Sequence, residues 1–277
     1  GKYGLSKWER HEYILLEPRN SELKSVLLLM NDSPSSSLGM FENGKLDIID
    51  GGGIPLLEIP YLKSKKLLNF ESQFRNNYIG FNVKKFPFNN KEVRKAFSLA
   101  IDKSIFEKVL YNTVIKTESW IPPGLIGSIH SNKPRYNKEI ANEILNQNGF
   151  EDRGKFPKVM FLFPESGNNR IIAEILQTMW MENLGVQVEI RGLEWKIYLI
   201  TLDIDRPHMF RAGWAADYPD PHNFMNIFTC NGGNNETGWC NSSYDEKINK
   251  ASYETSEEKR REMYIDAQEE LIYNQNT

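Results

Sequence analysis

Short apolar runs of β-favouring residues dominate the start of the chain: Tyr3, Leu5 and Trp8, then Tyr13 to Leu16, then residues 23–30. The charged stretch Glu9 to Glu12 separates the first two runs, which predicts a hairpin over residues 1–17 followed by a third strand. Ser33-Pro34 and the serines after it predict a turn into a short helix that ends near Asn43-Gly44. Residues 45–49 then read as a strand, Gly51 to Gly53 as a connector, and residues 56–68 as helical. The glycine triplet lacks the Lys-Ser/Thr of a phosphate loop and any G-x-G-x-x-G spacing.

From residue 77 the pattern changes. A strand over 77–82 precedes a helix capped near Asn89-Asn90, whose stripe Val93, Ala96, Phe97, Ala100 and Ile101 follows the 3.6-residue period. Ser104 and Glu107 have capping-box spacing, and Ile121-Pro122-Pro123-Gly124 makes a rigid corner. Asn137 caps a helix with Ile140, Ile144 and Leu145 inward, closed by Gly149. Strand 159–163, helix 169–184 with Ile172, Ile175 and Met179 inward, the stop at Gly185 and strand 186–190 form a strand–helix–strand unit, which implies a parallel crossover. A helix over 195–202 leads to a further strand, and Ser256 caps a final helix running to about Tyr273. The expected class is α/β, with a β-rich segment over 1–74 and a three-layer α/β lobe over 75–277.

That further strand opens the most chemically informative stretch, which runs from Arg211 to Phe224. It gathers Trp214, Asp217, Tyr218 and Asp220 where Gly213, Pro219 and Pro221 interrupt regular structure. A carboxylate beside an indole and a guanidinium suits a ligand with an ammonium group and some apolar surface. By the rule for open α/β sheets, ligands gather beyond the carboxyl ends of strands, where Trp214 and Asp217 fall. Asp220 before Pro221 reads as a helix cap, and Asp217 as a bare turn residue remains the alternative.

Composition narrows the partners. A formal net charge of −3, a pI near 5.9 and scattered Lys and Arg leave no basic field for nucleic acid. No apolar run approaches the ~20 residues that span a bilayer. Cys230 and Cys240 share one polar loop; they cannot complete a tetrahedral zinc site, so a short-loop disulfide that stiffens a loop near the ligand motif is expected, with two free thiols as the alternative. The four histidines, His11, His130, His208 and His222, show no H-E-x-x-H spacing. There is no G-x-S-x-G elbow; Ser21 and Lys24 have S-x-x-K spacing without the downstream K-T-G. Asp217 and Asp220 could form an acid–base pair, but capping explains Asp220 more simply. No enzymatic activity, metal or cofactor is expected.

The run R-A-G-W-A-A-D-Y-P-D-P over 211–221 resembles the signature of the family 5 extracellular solute-binding proteins, the peptide-binding components of ABC importers. Other stretches agree in the same order: 1–8, 41–47, 78–82, 87–96, 100–102 and 121–124. The resemblance implies a periplasmic-binding-protein-like architecture of type II with two lobes, here one nearly complete α/β lobe and part of the other. It implies a monomeric protein outside the cytoplasm, carried there by a signal peptide or lipid anchor, that holds peptide between the lobes for the importer's permease subunits. Relatives that bind nickel complexes, haem or other solutes, and non-transport sensing modules, are the alternatives. By position, Asp217 would accept the peptide's α-ammonium, Trp214 would stack on a ligand side chain and Arg211 would line the cleft. Tyr78 and Asn82, on the strand entering the lobe, are further candidates, with pairing inside the sheet as their alternative role.

Overall fold

The computed structural model describes residues 1–129 and 135–274. It divides into two compact units, Gly1–Asn69 and Phe70–Thr277. His130 lies outside the described residues.

In the first unit β1 (Tyr3–Glu9), β2 (Tyr13–Pro18) and β3 (Val26–Leu29) form an antiparallel meander. Helix α1 (Pro34–Glu42) is capped by the Ser33 hydroxyl, and α2 (Ile59–Ser64) follows. Residues 45–49 are not a strand, contrary to expectation. Gly44 turns into the left-handed region, the Lys45 N–H bonds back to Met40 O, and Ile48 is 83% exposed, so this stretch closes α1. Asp50 caps the glycine triplet. The buried apolar side chains here are Leu38, Ile59 and Leu62, whereas Leu5, Trp8, Leu27, Leu28, Leu29 and Met30 are exposed.

The second unit is built on a four-stranded mixed sheet in the order β4 (Arg75–Phe81), β7 (Met209–Ala215), β5 (Val159–Pro164), β6 (Val188–Leu193). Between β4 and β5 come α3 (Lys91–Leu99), α4 (Ser104–Val109) and α5 (Lys138–Gln147). Helix α6 (Asn169–Leu184) links β5 to β6, α7 (Trp195–Ile204) precedes β7, and α8 (His222–Met225), α9 (Ser242–Tyr253) and α10 (Glu257–Glu269) complete the chain order.

Strand β5 pairs in parallel with β6, from Val159 opposite Val188 to Pro164 opposite Leu193. β6 begins two residues later than expected. Gly185 closes α6 at φ 69°, and the Val186 N–H bonds to Trp180 O, so Val186 belongs to the helix stop rather than to the ladder. The inward face of α6 is Ala173, Leu176, Met179, Trp180 and Leu184; Ile172 packs at its margin and Ile175 is half-buried. In α5, Ala141 takes the inward place expected for Ile140, which is 45% exposed. Ahead of α4 the Asp102 carboxylate accepts from both the N–H and the hydroxyl of Ser104, while Glu107 reaches the Lys116 N–H, so Ser104 and Glu107 do not form a capping box.

Alternation along the strands sets the layers. Val159, Phe161, Phe163, Met209 and Phe81 face α3, α5 and α6, whereas Leu162 and Phe210 face Tyr198 and Leu202 of α7. A third cluster joins the corner residues Trp120, Ile121 and Leu125 to Phe224, Met225, Tyr244 and Tyr264. Gly80 is required by contact: a Cβ there would sit 2.2 Å from the Phe210 ring lying across it.

Candidate ligand-binding site

Strand β7 runs parallel to β5 with Phe161 opposite Met209, so Gly213, Trp214 and Ala215 extend past Pro164. The motif thus emerges beyond the carboxyl end of the parallel strands. β4 supports it from the other side, antiparallel, with Asn76 opposite Trp214 and Asn77 opposite Gly213. A Cβ at Gly213 would meet Asn77 Oδ1 at 2.5 Å and Asn76 O at 3.1 Å, so a larger residue here would have to displace the Asn77 side chain. The Ala216 N–H then bonds to Phe74 O.

The half-buried Trp214 indole donates from Nε1 to Asn223 Oδ1 at 2.6 Å, and the Asp217 N–H donates to the same oxygen at 3.3 Å. Asp217 is exposed, and its carboxylate has no partner among the described residues. Asp220 is engaged. Its Oδ1 accepts from the His222 N–H and from Arg260, each at 2.8 Å. Burial pushes the Asp220 carboxyl up, but the hydrogen bonds from Arg260 and the His222 N–H, with the Arg260 charge, overcome this and hold it below its ordinary value.

The remaining candidates are scattered. Arg211 projects from the opposite face of β7 to Trp214, since the two are three apart on a strand. Its half-buried guanidinium has no partner among the described residues, and burial with the nearby Arg75 charge lowers its pKa. Tyr78 shares the Trp214 face, but its ring is built into the aromatic cluster, edge-on to Trp120, Phe228 and Phe210 at 5.0, 5.4 and 6.3 Å. Burial and the Glu236 charge raise its phenol well above the ordinary value. Asn82 falls beyond Phe81, which pairs with Met209 at the start of β7, about 20 Å along the ladder from Ala215. Its carbonyl accepts from the Lys84 N–H and its amide reaches Arg206 O, so it closes a turn away from the motif.

Cys230 and Cys240 form a disulfide. The loop between them does not lie where expected: Thr237 O accepts from the Val83 N–H and Glu236 pairs with Arg206, so the loop packs at the Asn82 end of the sheet. Among the described residues no group of three or more His, Cys, Asp or Glu could hold a metal ion, and no helix is long and apolar enough to cross a membrane.

A family model, bacterial extracellular solute-binding proteins, family 5 (middle), matches residues 1–236. The chain belongs to this family. Among its family 5 relatives, the oligopeptide-binding protein OppA of Bacillus subtilis is 29% identical over 282 residues, taking in 95% of this chain and 52% of that protein. The dipeptide-binding protein DppE of the same organism is 25% identical over 288 residues, or 98% and 52%. Among solved structures, a Borrelia burgdorferi periplasmic oligopeptide-binding protein superposes with a TM-score of 0.85 at 29% identity, covering 99% of this chain and 57% of the other. Haemophilus influenzae OppA in complex with RPPGFSPFR gives 0.84 at 26% identity, covering 100% and 57%. These neighbours are two-lobe periplasmic binding proteins. The chain spans about half the length of the family 5 relatives it matches.

Asn223, Arg260 and Asn76 escaped the sequence reading of this family 5 chain. Asn76 donates to Ser119 O and Trp120 O, tying β4 to the Pro-Pro corner. Asn223 sits within the motif, yet its role comes from a fold-back that brings it against Trp214 and Asp217, and local pattern carries no sign of that. Arg260 is 40 residues from its partner Asp220.

Proposed function

We propose that this chain is part of a peptide-binding protein of an ABC importer, working outside the cytoplasm, which captures peptides between two lobes and passes them to the membrane permease subunits. The observation that carries the reading is Asp217, an exposed carboxylate with no partner among the described residues, presented beside the Trp214 indole past the end of the parallel strands. A peptide's α-ammonium is the complement of that carboxylate, and the indole supplies flat apolar area for the adjoining side chain. Arg211, half-buried and without a counter-ion among the described residues, offers a cation to an anionic group of the same ligand on the other side of β7. The names of the OppA and DppE relatives support peptide as the ligand class. Periplasmic relatives and the disulfide support an oxidising compartment, reached through a signal peptide or lipid anchor. The protein acts as a monomer, and binding rather than catalysis is its role.

The test is calorimetry of the full-length protein with a short peptide and its N-acetylated twin. A desolvated charge-assisted contact is worth ~1.5–3 kcal/mol, so acetylation should weaken binding roughly ten- to a hundredfold. Equal affinity for the two peptides would overturn ammonium recognition.

A further inference from the structure

We infer that Asn223 is the positioning residue of this site, the single group that sets both the Trp214 ring and the main chain of Asp217; the inference rests on the peptide-binding reading above. The Asp217 carboxylate touches no protein group among the described residues, so where it points depends on its backbone. That backbone is fixed through its N–H, which donates to Asn223 Oδ1 at 3.3 Å, and the same oxygen takes the Trp214 indole N–H at 2.6 Å. Both neighbours are donors, so the amide must present its oxygen, and the two lone pairs of one carbonyl satisfy them together.

The platform beneath is rigid. Asn223 is 8% exposed, and Phe224 and Met225 beside it are fully buried. The α8 backbone is held by the Trp120 indole donating to Phe224 O at 2.8 Å and by the Tyr244 hydroxyl donating to Met225 O at 2.6 Å. Asp220, bonded to the His222 N–H and to Arg260, fixes the approach to the helix. The position of this core is therefore relayed through one oxygen to two ligand-facing residues that are three apart in sequence. A displaced Asn223 would move the indole and the carboxylate together.

Asn223→Leu keeps the branched shape at a somewhat larger volume and removes the acceptor, whereas Asn223→Asp keeps an acceptor. The full-length variants would be compared by peptide calorimetry, by melting temperature and by the ¹⁵N–¹H resonance of the Trp214 indole, assigned with Trp214→Phe. Leaving two donors without an acceptor should weaken peptide binding about tenfold or more in Asn223→Leu and move the indole proton upfield. Asn223→Asp should restore the resonance and most of the affinity. If Asn223→Leu melts lower yet binds peptide as the parent does while Asp217→Ala does not, Asn223 serves the fold alone and the inference fails. It fails equally if Asn223→Asp keeps the indole resonance but binds as weakly as Asn223→Leu. A weakened Asn223→Leu with an unaffected Asp217→Ala would instead overturn the ammonium reading and uphold the hold on Trp214. If Asn223→Leu does not fold, Asn223→Ser, smaller and too short to reach both donors, is read by the same criteria.

Discussion

Two aspartates three residues apart do different work because one has partners and the other has none. Asp217 is free among the described residues, whereas Asp220 is joined to the His222 N–H and Arg260. Asp217→Ala should therefore leave the melting temperature nearly unchanged and cost ~3–5 kcal/mol of peptide affinity, since the ligand's ammonium would be buried without a counter-charge. Asp220→Ala should do the reverse, losing about 1–3 kcal/mol of stability because cap and ion pair go together. Urea unfolding and calorimetry on the pair decide this. The Asp220 pKa is lowered in the folded state, so its stabilisation is complete above the ordinary carboxylate range and fades as pH falls through the lowered value. The stability gap between parent and Asp220→Asn, measured in urea, should accordingly be full at neutral pH and shrink below about pH 4. A gap independent of pH would mean that the charge is not what stabilises. The emergence of Trp214 and Asp217 beyond the carboxyl ends of the parallel strands, and the bond from Asp220 to the first turn of the next helix, were legible in the sequence because local chemistry defines them. Asn223 and Arg260 were not, because each acts on a residue that only the tertiary fold brings near.

Elements were legible where one local rule had no competitor. The α3 stripe, the Asn90 and Asn137 caps and the parallel β5–α6–β6 unit follow from period and capping alone. Misreadings arose where two local rules met: residues 45–49 have strand-like composition but close α1, and Val186 completes the end of α6 before β6 begins. Gly80 shows what contact adds to pattern. With its Cβ position 2.2 Å from the Phe210 ring, Gly80→Ala must displace that buried ring or push β4 and β7 apart at the start of β7, and overpacking of this kind costs roughly 1–3 kcal/mol. A urea midpoint equal to the parent's would show that the ring can yield. The disulfide belongs to the same scale. It closes a short loop whose Asn235 and Thr237 are already internally bonded, and chain entropy assigns it ~3 kcal/mol. Reduction should add two alkylatable thiols by intact mass and lower the melting temperature. Because the loop packs by Val83 and Arg206, reduction should leave peptide affinity close to that of the oxidised protein.

At the scale of the whole chain the two units differ in how much they bury. The Phe70–Thr277 unit holds three apolar clusters, with Trp180, Phe161, Phe163, Phe210 and Tyr244 fully enclosed, and its sheet has helices on both faces. The Gly1–Asn69 unit encloses Leu38, Ile59 and Leu62 and leaves apolar side chains of its meander in solvent. A three-stranded sheet without a covered face is marginal in water, whereas a core of the larger unit's size offsets its own chain entropy. We therefore propose that residues 70–277 are an autonomous folding unit and residues 1–69 are not. Expressed alone, the larger unit should unfold in one cooperative thermal transition with an enthalpy on the order of 100 kcal/mol, as its length requires. Residues 1–69 alone should show no such transition. Calorimetry of the two pieces tests this directly: a broad, non-cooperative melt of 70–277 would mean that its clusters depend on the rest of the polypeptide, and the Trp214–Asp217–Asn223 constellation could then no longer be treated as a property of this lobe alone.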